Sequence, residues 1–141
     1  MKEEHISESA RHYLSLLQDT INRMASNSAN CKTWLIAIIA AITTCLYNSE
    51  NICNSYWIMF IPTMLFYILD CYYLGLERRF IKIEHIFIEQ LRKGEEGDLY
   101  VFNVKKIGGD IEYVFRAMKS WSTTPFYLII TISIYCLKFI H

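Results

Sequence analysis

The chain has 141 residues with no formal net charge, 20% of them charged and 53% hydrophobic. That is the length of one domain, and the neutral balance offers no electrostatic footprint for nucleic acid, so no nucleic-acid partner is expected. The five cysteines, Cys31, Cys45, Cys53, Cys71 and Cys136, are scattered without a C-x-x-C pair, which argues against a disulfide framework and against a zinc site.

The apolar residues are not interleaved with the charged ones. They fall in three blocks, and charge collects between the blocks. Ahead of the first block, the leader SESARHYLSLLQDTINRMASNSANCK sets Ala10, Tyr13, Leu17, Ile21 and Met24 at three- and four-residue steps. That spacing predicts an amphipathic helix, with Ser7 suited to its N-cap. The helix is expected to run on into the first apolar block. Ser26 to Asn30 is polar for such a junction and reads either as a break or as small polar residues packed between helices.

The first block, Thr33 to Tyr47, carries no charge, and the second, Tyr56 to Leu76, carries one, at Asp70. A membrane-crossing helix needs about 20 mostly apolar residues. The second block meets this, and the first does so by borrowing Cys31, Lys32 and Asn48. Joined by the polar NSENICNS, the two predict a transmembrane hairpin. The soluble alternative is a buried helical hairpin, but so short a chain has too little surrounding structure to cover two helices that are apolar all round. The first block starts after an acidic and polar leader, with no small-residue cleavage site after it, so it does not read as a signal peptide. Ala37 and Ala41 form a small-xxx-small pattern that permits close helix contact, within the chain or between copies. Pro62 is expected to kink the second span.

Beyond the second block, LERRFIKIEHIFIEQLRKG continues the helix to Lys93. Phe80, Ile83, Phe87 and Leu91 make its apolar stripe, widened by Ile86 and Ile88, and the leader helix is the partner expected to cover it. Arg92 and Lys93 suit a helix C-terminus, with Gly94 just past it. GEEGD then reads as a turn and LYVFNV as a short strand. GGDIEYVFRAMKSW is a second amphipathic helix with Ile111, Val114, Phe115, Met118 and Trp121 on its apolar side. It reads as an interfacial helix or as one packed on its neighbours.

The third block, Pro125 to Ile140, is about 24 Å long as a helix, with Thr124 as cap, Pro125 as first helical residue, and Lys138 able to snorkel. It predicts a third span; the alternative is a re-entrant or interfacial helix. The division expected is a leader helix over 1–30, a transmembrane hairpin over 31–76, a helical segment over 77–123 and a third transmembrane helix over 124–141. The fold class is an all-α integral membrane protein. Lys and Arg crowd the leader and the segment after the second span, while Asn48 to Ser55 has none. By the positive-inside rule, the N-terminus and the 77–123 segment are cytoplasmic, anchored by Arg78 and Arg79, and His141 lies outside.

No nucleophile–base pair, phosphate loop or H-E-x-x-H motif is present, so no enzyme activity, metal or cofactor is expected. Glu84, His85 and Glu89 read as a solvated helix face. Asp70 is the one intramembrane acid, about 9 Å inside Leu76 by helical rise. Such a charge costs about 2.5–3.5 kcal/mol at the centre of a span. It is either a structural acid paired with Lys32, Arg23 or the polar Ser26 to Asn30 stretch, or an ion-pathway group.

The stretches INRMASNSANCKTW before the first span and LDCYYLGLERRF after the second resemble small bacterial membrane effectors of anti-phage defence, including those termed SLATT. The likeness rests on Asn22, Arg23, Asn27, Lys32, Trp34, Asp70, Tyr72, Tyr73, Glu77 and Arg78 and covers about the first two thirds of the chain, the third apolar segment being additional to the two-span layout. It implies homo-oligomerisation in the bacterial inner membrane and damage to the bilayer, causing growth arrest on infection. Such an effector would be triggered by a cytoplasmic defence-system protein or a small signal. The other function weighed is a passive membrane anchor or assembly subunit that recruits a cytoplasmic partner.

Overall fold

The computed structural model describes residues 8–47, 56–93 and 110–140, and all its elements are helical. Helix α1 runs from Glu8 to Tyr47 and α2 from Phe60 to Lys93, the latter entered through a 3-10 turn at Tyr56–Met59. Helix α3 spans Asp110–Met118 and α4 spans Thr124–Ile140. The expected LYVFNV strand, the NSENICNS and GEEGD turns and the Ser7 cap lie outside the described residues.

Helices α1 and α2 are both long and apolar enough to cross a membrane, whereas α4 is a shorter apolar helix of 17 residues. Only 11% of the most apolar stretch of α1 and 28% of that of α2 is buried. The remainder carries large side chains on the outside, among them Trp34, Ile36, Trp57, Ile61 and Met64. A water-soluble core helix would turn that surface inward.

Helix α1 passes through Ser26 to Asn30 without a break. Its leader half packs on the far half of α2 as an antiparallel pair. Ala10, Tyr13 and Leu17 meet Ile83 and Phe87 in a buried cluster, with Leu14, Phe80 and Leu91 packed at its edge. The Tyr13 and Phe87 rings lie 4.6 Å apart, tilted by 58°, a favoured aromatic geometry. Burial pushes the Tyr13 hydroxyl above its ordinary value of 10.0, so the ring packs neutral at physiological pH. Gln18 Nε2 donates to Glu84 Oε1 at 3.2 Å on the rim. The stripe is narrower than its sequence pattern: Ile86 is exposed, because α1 covers the line through Ile83 and Phe87, both buried on α2 at a step of four. A single facing helix covers one such row.

Pro62 stands in the first turn of α2, directly after the 3-10 turn. The N–H that proline lacks is there one of the donors a helix start leaves unmatched anyway. It therefore stands where the chain changes from 3-10 to α geometry. Ala37 and Ala41 are both exposed, so the small-residue face of α1 is not covered within the chain.

Helix α3 lies across α2 at Gly75. A Cβ at that glycine would come within 3.1 Å of Val114 N and 3.2 Å of Tyr113 C and Val114 Cα, so backbone meets backbone where no side chain intervenes. Ala117 of α3 is buried, while Phe115 and Trp121 stay exposed, Trp121 at 91%. The apolar stripe read for α3 therefore divides: one edge packs on α2 and the other faces out. Gly75→Ala would gain about 0.5–1 kcal/mol in helix preference against an overpacking cost of about 1–3 kcal/mol. Gly75→Leu keeps most of that gain but adds a branched side chain where even a Cβ meets backbone, so the overpacking dominates. In Gly75→Leu, trypsin should cut at Arg116 and Lys119 several-fold faster with the α1–α2 pair intact; an unchanged rate would mean that α3 is not held by this approach.

Candidate functional site

Ser28 and Lys32 are one turn apart on α1 and so share a face. With Cys31 and Leu35, also buried, this face meets α2 at Asp70 and Cys71. Asp70 is fully buried, and Lys32 is 20% exposed. Lys32 Nζ donates to Asp70 Oδ1 at 3.0 Å and stands 2.8 Å from Oδ2, where the contact is one of charge. Ser28 donates to Oδ1 and accepts a longer bond of 3.4 Å from Lys32 Nζ. The three side chains form a closed triad, with the serine hydroxyl set between acid and base.

A third helix reaches the same point. Tyr127 of α4 is buried and donates from its hydroxyl to the Phe66 carbonyl at 3.0 Å, one turn before Asp70 on α2. Its ring stands edge-on to that of Tyr67 at 5.1 Å. Tyr67 in turn donates to the Met118 carbonyl at 3.3 Å, at the end of α3. Asp70 is thus the point where α1, α2 and α4 come together.

The residues singled out in the sequence separate clearly. The fold brings Lys32 to Asp70. Arg23 is exposed, nine residues earlier on α1 and about 13 Å along its axis. Arg78 and Arg79, adjacent in sequence, part company. Arg79 is buried on α2. Arg78 turns to the α3–α4 connection, where Nη2 donates to Ser120 Oγ at 2.7 Å and Nη1 to the Arg116 carbonyl at 3.4 Å. Thr124, expected as a cap, is already the first residue of α4. Its hydroxyl reaches back to the Met118 carbonyl at 2.7 Å and ties the end of α3 to the start of α4.

Sequence reasoning missed Ser28 as an individual, Tyr127, Tyr67 and Gly75. Only Ser28 left a signal: it lies four residues before Lys32 in a polar stretch, so whichever face carries the lysine carries the serine. What the arrangement can do chemically is limited. A fully enclosed carboxylate with its charge matched and a hydroxyl donor in place offers no open position for a reacting atom. It fixes the rotation of three helices about one another. No family model, curated protein or solved structure matches the chain.

Proposed function

We propose that this chain is a non-enzymatic bacterial inner-membrane protein that self-assembles and permeabilises the membrane, as an abortive-infection effector would. One observation carries the reading: the outward apolar surface of α1 and α2, where Ile61 is 70% and Trp34, Trp57 and Met64 each 64% exposed. Lipid and neighbouring copies are the partners such a surface accepts. The exposed Ala37 and Ala41 supply a flat face for a second copy. Helix α4 is the third span on this reading, with Arg78 and its neighbours on the cytoplasmic side and the C-terminus periplasmic. A defence-system protein or small signal acts on the cytoplasmic pair formed by the leader and the far half of α2.

The enclosure of Asp70 favours the structural role over the ion pathway. A pore, on this reading, opens between copies and not through the Lys32–Asp70 contact. The same enclosure is what a passive anchor would have, and that is the second reading.

The test uses the full chain expressed in bacteria. After carbonate extraction the protein should remain in the membrane fraction, cross-linking should give a ladder of multimers, and phage challenge should collapse the membrane potential reported by a voltage-sensitive dye. A cross-linked, inserted protein with undisturbed potential throughout infection would support the anchor and overturn the pore. Extraction by carbonate would overturn both.

A further inference from the structure

An open apolar groove of about 770 Å3 lies between α2 and α4, floored by Thr63, Tyr67 and Tyr127 and walled by Met64, Leu128 and Ile132. Its size is in the range of ligand cavities, about 300–1,000 Å3. Its three walls are more than half exposed, so it opens sideways along the helices and not into a closed core. Among the described residues, no other side chain fills it.

Arg78 stands beyond the end of the groove at Thr124, hydrogen-bonded to Ser120 one turn before it. Thr124 N donates to the Ser120 carbonyl at 3.0 Å, and Ser120 Oγ accepts from Arg78 at 2.7 Å. One residue, Ser120, therefore links the groove mouth to a guanidinium. Arg78 spends two N–H donations on the α3–α4 connection, leaving donors of its five for an anion. Lys119 and Ser122 are exposed on the same connection, beside the 91% exposed Trp121. The acid nearest in this region of α3, Glu112, is held by Arg116 at 2.7 Å, and Glu77 adjoins Arg78 on α2. Glu112 and Arg116 neutralise one another, which leaves Arg78 and Lys119 against Glu77 around Ser120. An elongated apolar trough capped by cations and an interfacial tryptophan matches one chemistry: an acyl chain with an anionic head.

We propose that the α2–α4 groove seats one acyl chain of an anionic phospholipid, with its phosphate against Arg78 and Lys119. The proposal rests on the membrane reading above and names the lipid class that the site selects. Arg78 then has two roles, holding the α3–α4 connection and receiving the phosphate, so lipid occupancy reinforces the packing of α3 and α4 on α2.

The experiment is native mass spectrometry of the delipidated full chain in neutral detergent, titrated with dioleoyl-phosphatidylglycerol or dioleoyl-phosphatidylcholine. One phosphatidylglycerol should be retained per chain at concentrations at least tenfold below those needed for phosphatidylcholine. Lys119→Gln should reduce that preference several-fold, and Thr131→Trp, which fills the trough from α4, should lower retention of both lipids. Equal retention of the two lipids by the wild-type chain overturns the proposal without any variant having to fold. Undiminished phosphatidylglycerol retention in Thr131→Trp, or loss of multimers with no change in lipid retention, also overturns it, the latter by assigning the groove to a second copy. The readout is independent of carbonate extraction and membrane potential, so an inserted, depolarising protein without lipid preference refutes this inference alone.

Discussion

Lys32→Met should destabilise the fold by about 3–5 kcal/mol, because it leaves Asp70 buried and uncompensated. Asp70 is fully enclosed and has its charge balanced by Lys32 alone among the described residues, the Ser28 hydroxyl providing a hydrogen bond but no charge. Asp70→Asn should cost less, since an amide keeps an acceptor for Ser28 and for Lys32 while shedding the charge. The double variant Lys32→Met/Asp70→Asn should recover most of the loss of Lys32→Met, since replacing a buried ion pair as a whole is often neutral or better. The three variants and the wild type, unfolded in mixed micelles with increasing sodium dodecyl sulfate and followed by helical circular dichroism, give the coupling. A coupling near zero would mean that the two charges find water separately, and that Asp70 is open to a conducting path after all. The sign of that coupling thus bears on function as well as stability. A structural acid predicts normal depolarisation in the double variant, while a pathway acid predicts that Asp70→Asn alone changes conductance in a chain that still assembles.

The second large effect belongs to the leader. Phe87→Ala should cost about 3–5 kcal/mol and Leu17→Ala about 2–5 kcal/mol, both lying in the cluster that docks the first half of α1 on the far half of α2. Hydrogen exchange should show the loss over residues 10–24 and 80–91, while the apolar halves around Asp70 keep their protection. Ile86→Ala, at an exposed position one residue before Phe87, should stay within about 0.5 kcal/mol. Equal losses at positions 86 and 87 would mean that a surface absent from the isolated chain covers Ile86, as an assembled multimer would.

Much of this architecture was legible in the sequence because it depends on periodicity. The three- and four-residue steps from Ala10 to Leu17 and from Ile83 to Phe87 define two stripes, and a hairpin between them requires the stripes to face one another. What was not legible depends on the rotation of each helix about its own axis. Whether Phe115 or Ala117 turns toward α2 is decided by the close approach at Gly75, a contact between residues about 40 positions apart. A glycine within YYLGLERRF carries no mark of its partner. The same holds for the parting of Arg78 and Arg79. Adjacent residues on a helix point about 100° apart, so Arg79 is buried while Arg78 meets the α3–α4 connection, although as a pair they look alike. The place of Pro62 depends likewise on where the helix starts: the 3-10 turn at Tyr56–Met59 puts the proline in the first turn of α2.

The unbroken course of α1 has a mechanical consequence. Its 40 residues make a rod about 60 Å long, without a proline or glycine at which it could bend. A rod gripped at Ser28 and Lys32 has its pivot near the middle, so a tilt of the leader arm works against the packing of Ile39, Ile42 and Leu46 on Met59 and Ile134. Tilting the leader arm by about 5° swings the Tyr47 end by about 2.5 Å over the intervening 28 Å, taking the standard rise per residue. Loosening Leu17 from Phe87 therefore does more than free a segment. It releases one arm of a lever whose other arm carries Trp34, Ala37 and Ala41, and the ion pair at Asp70 serves as its fulcrum.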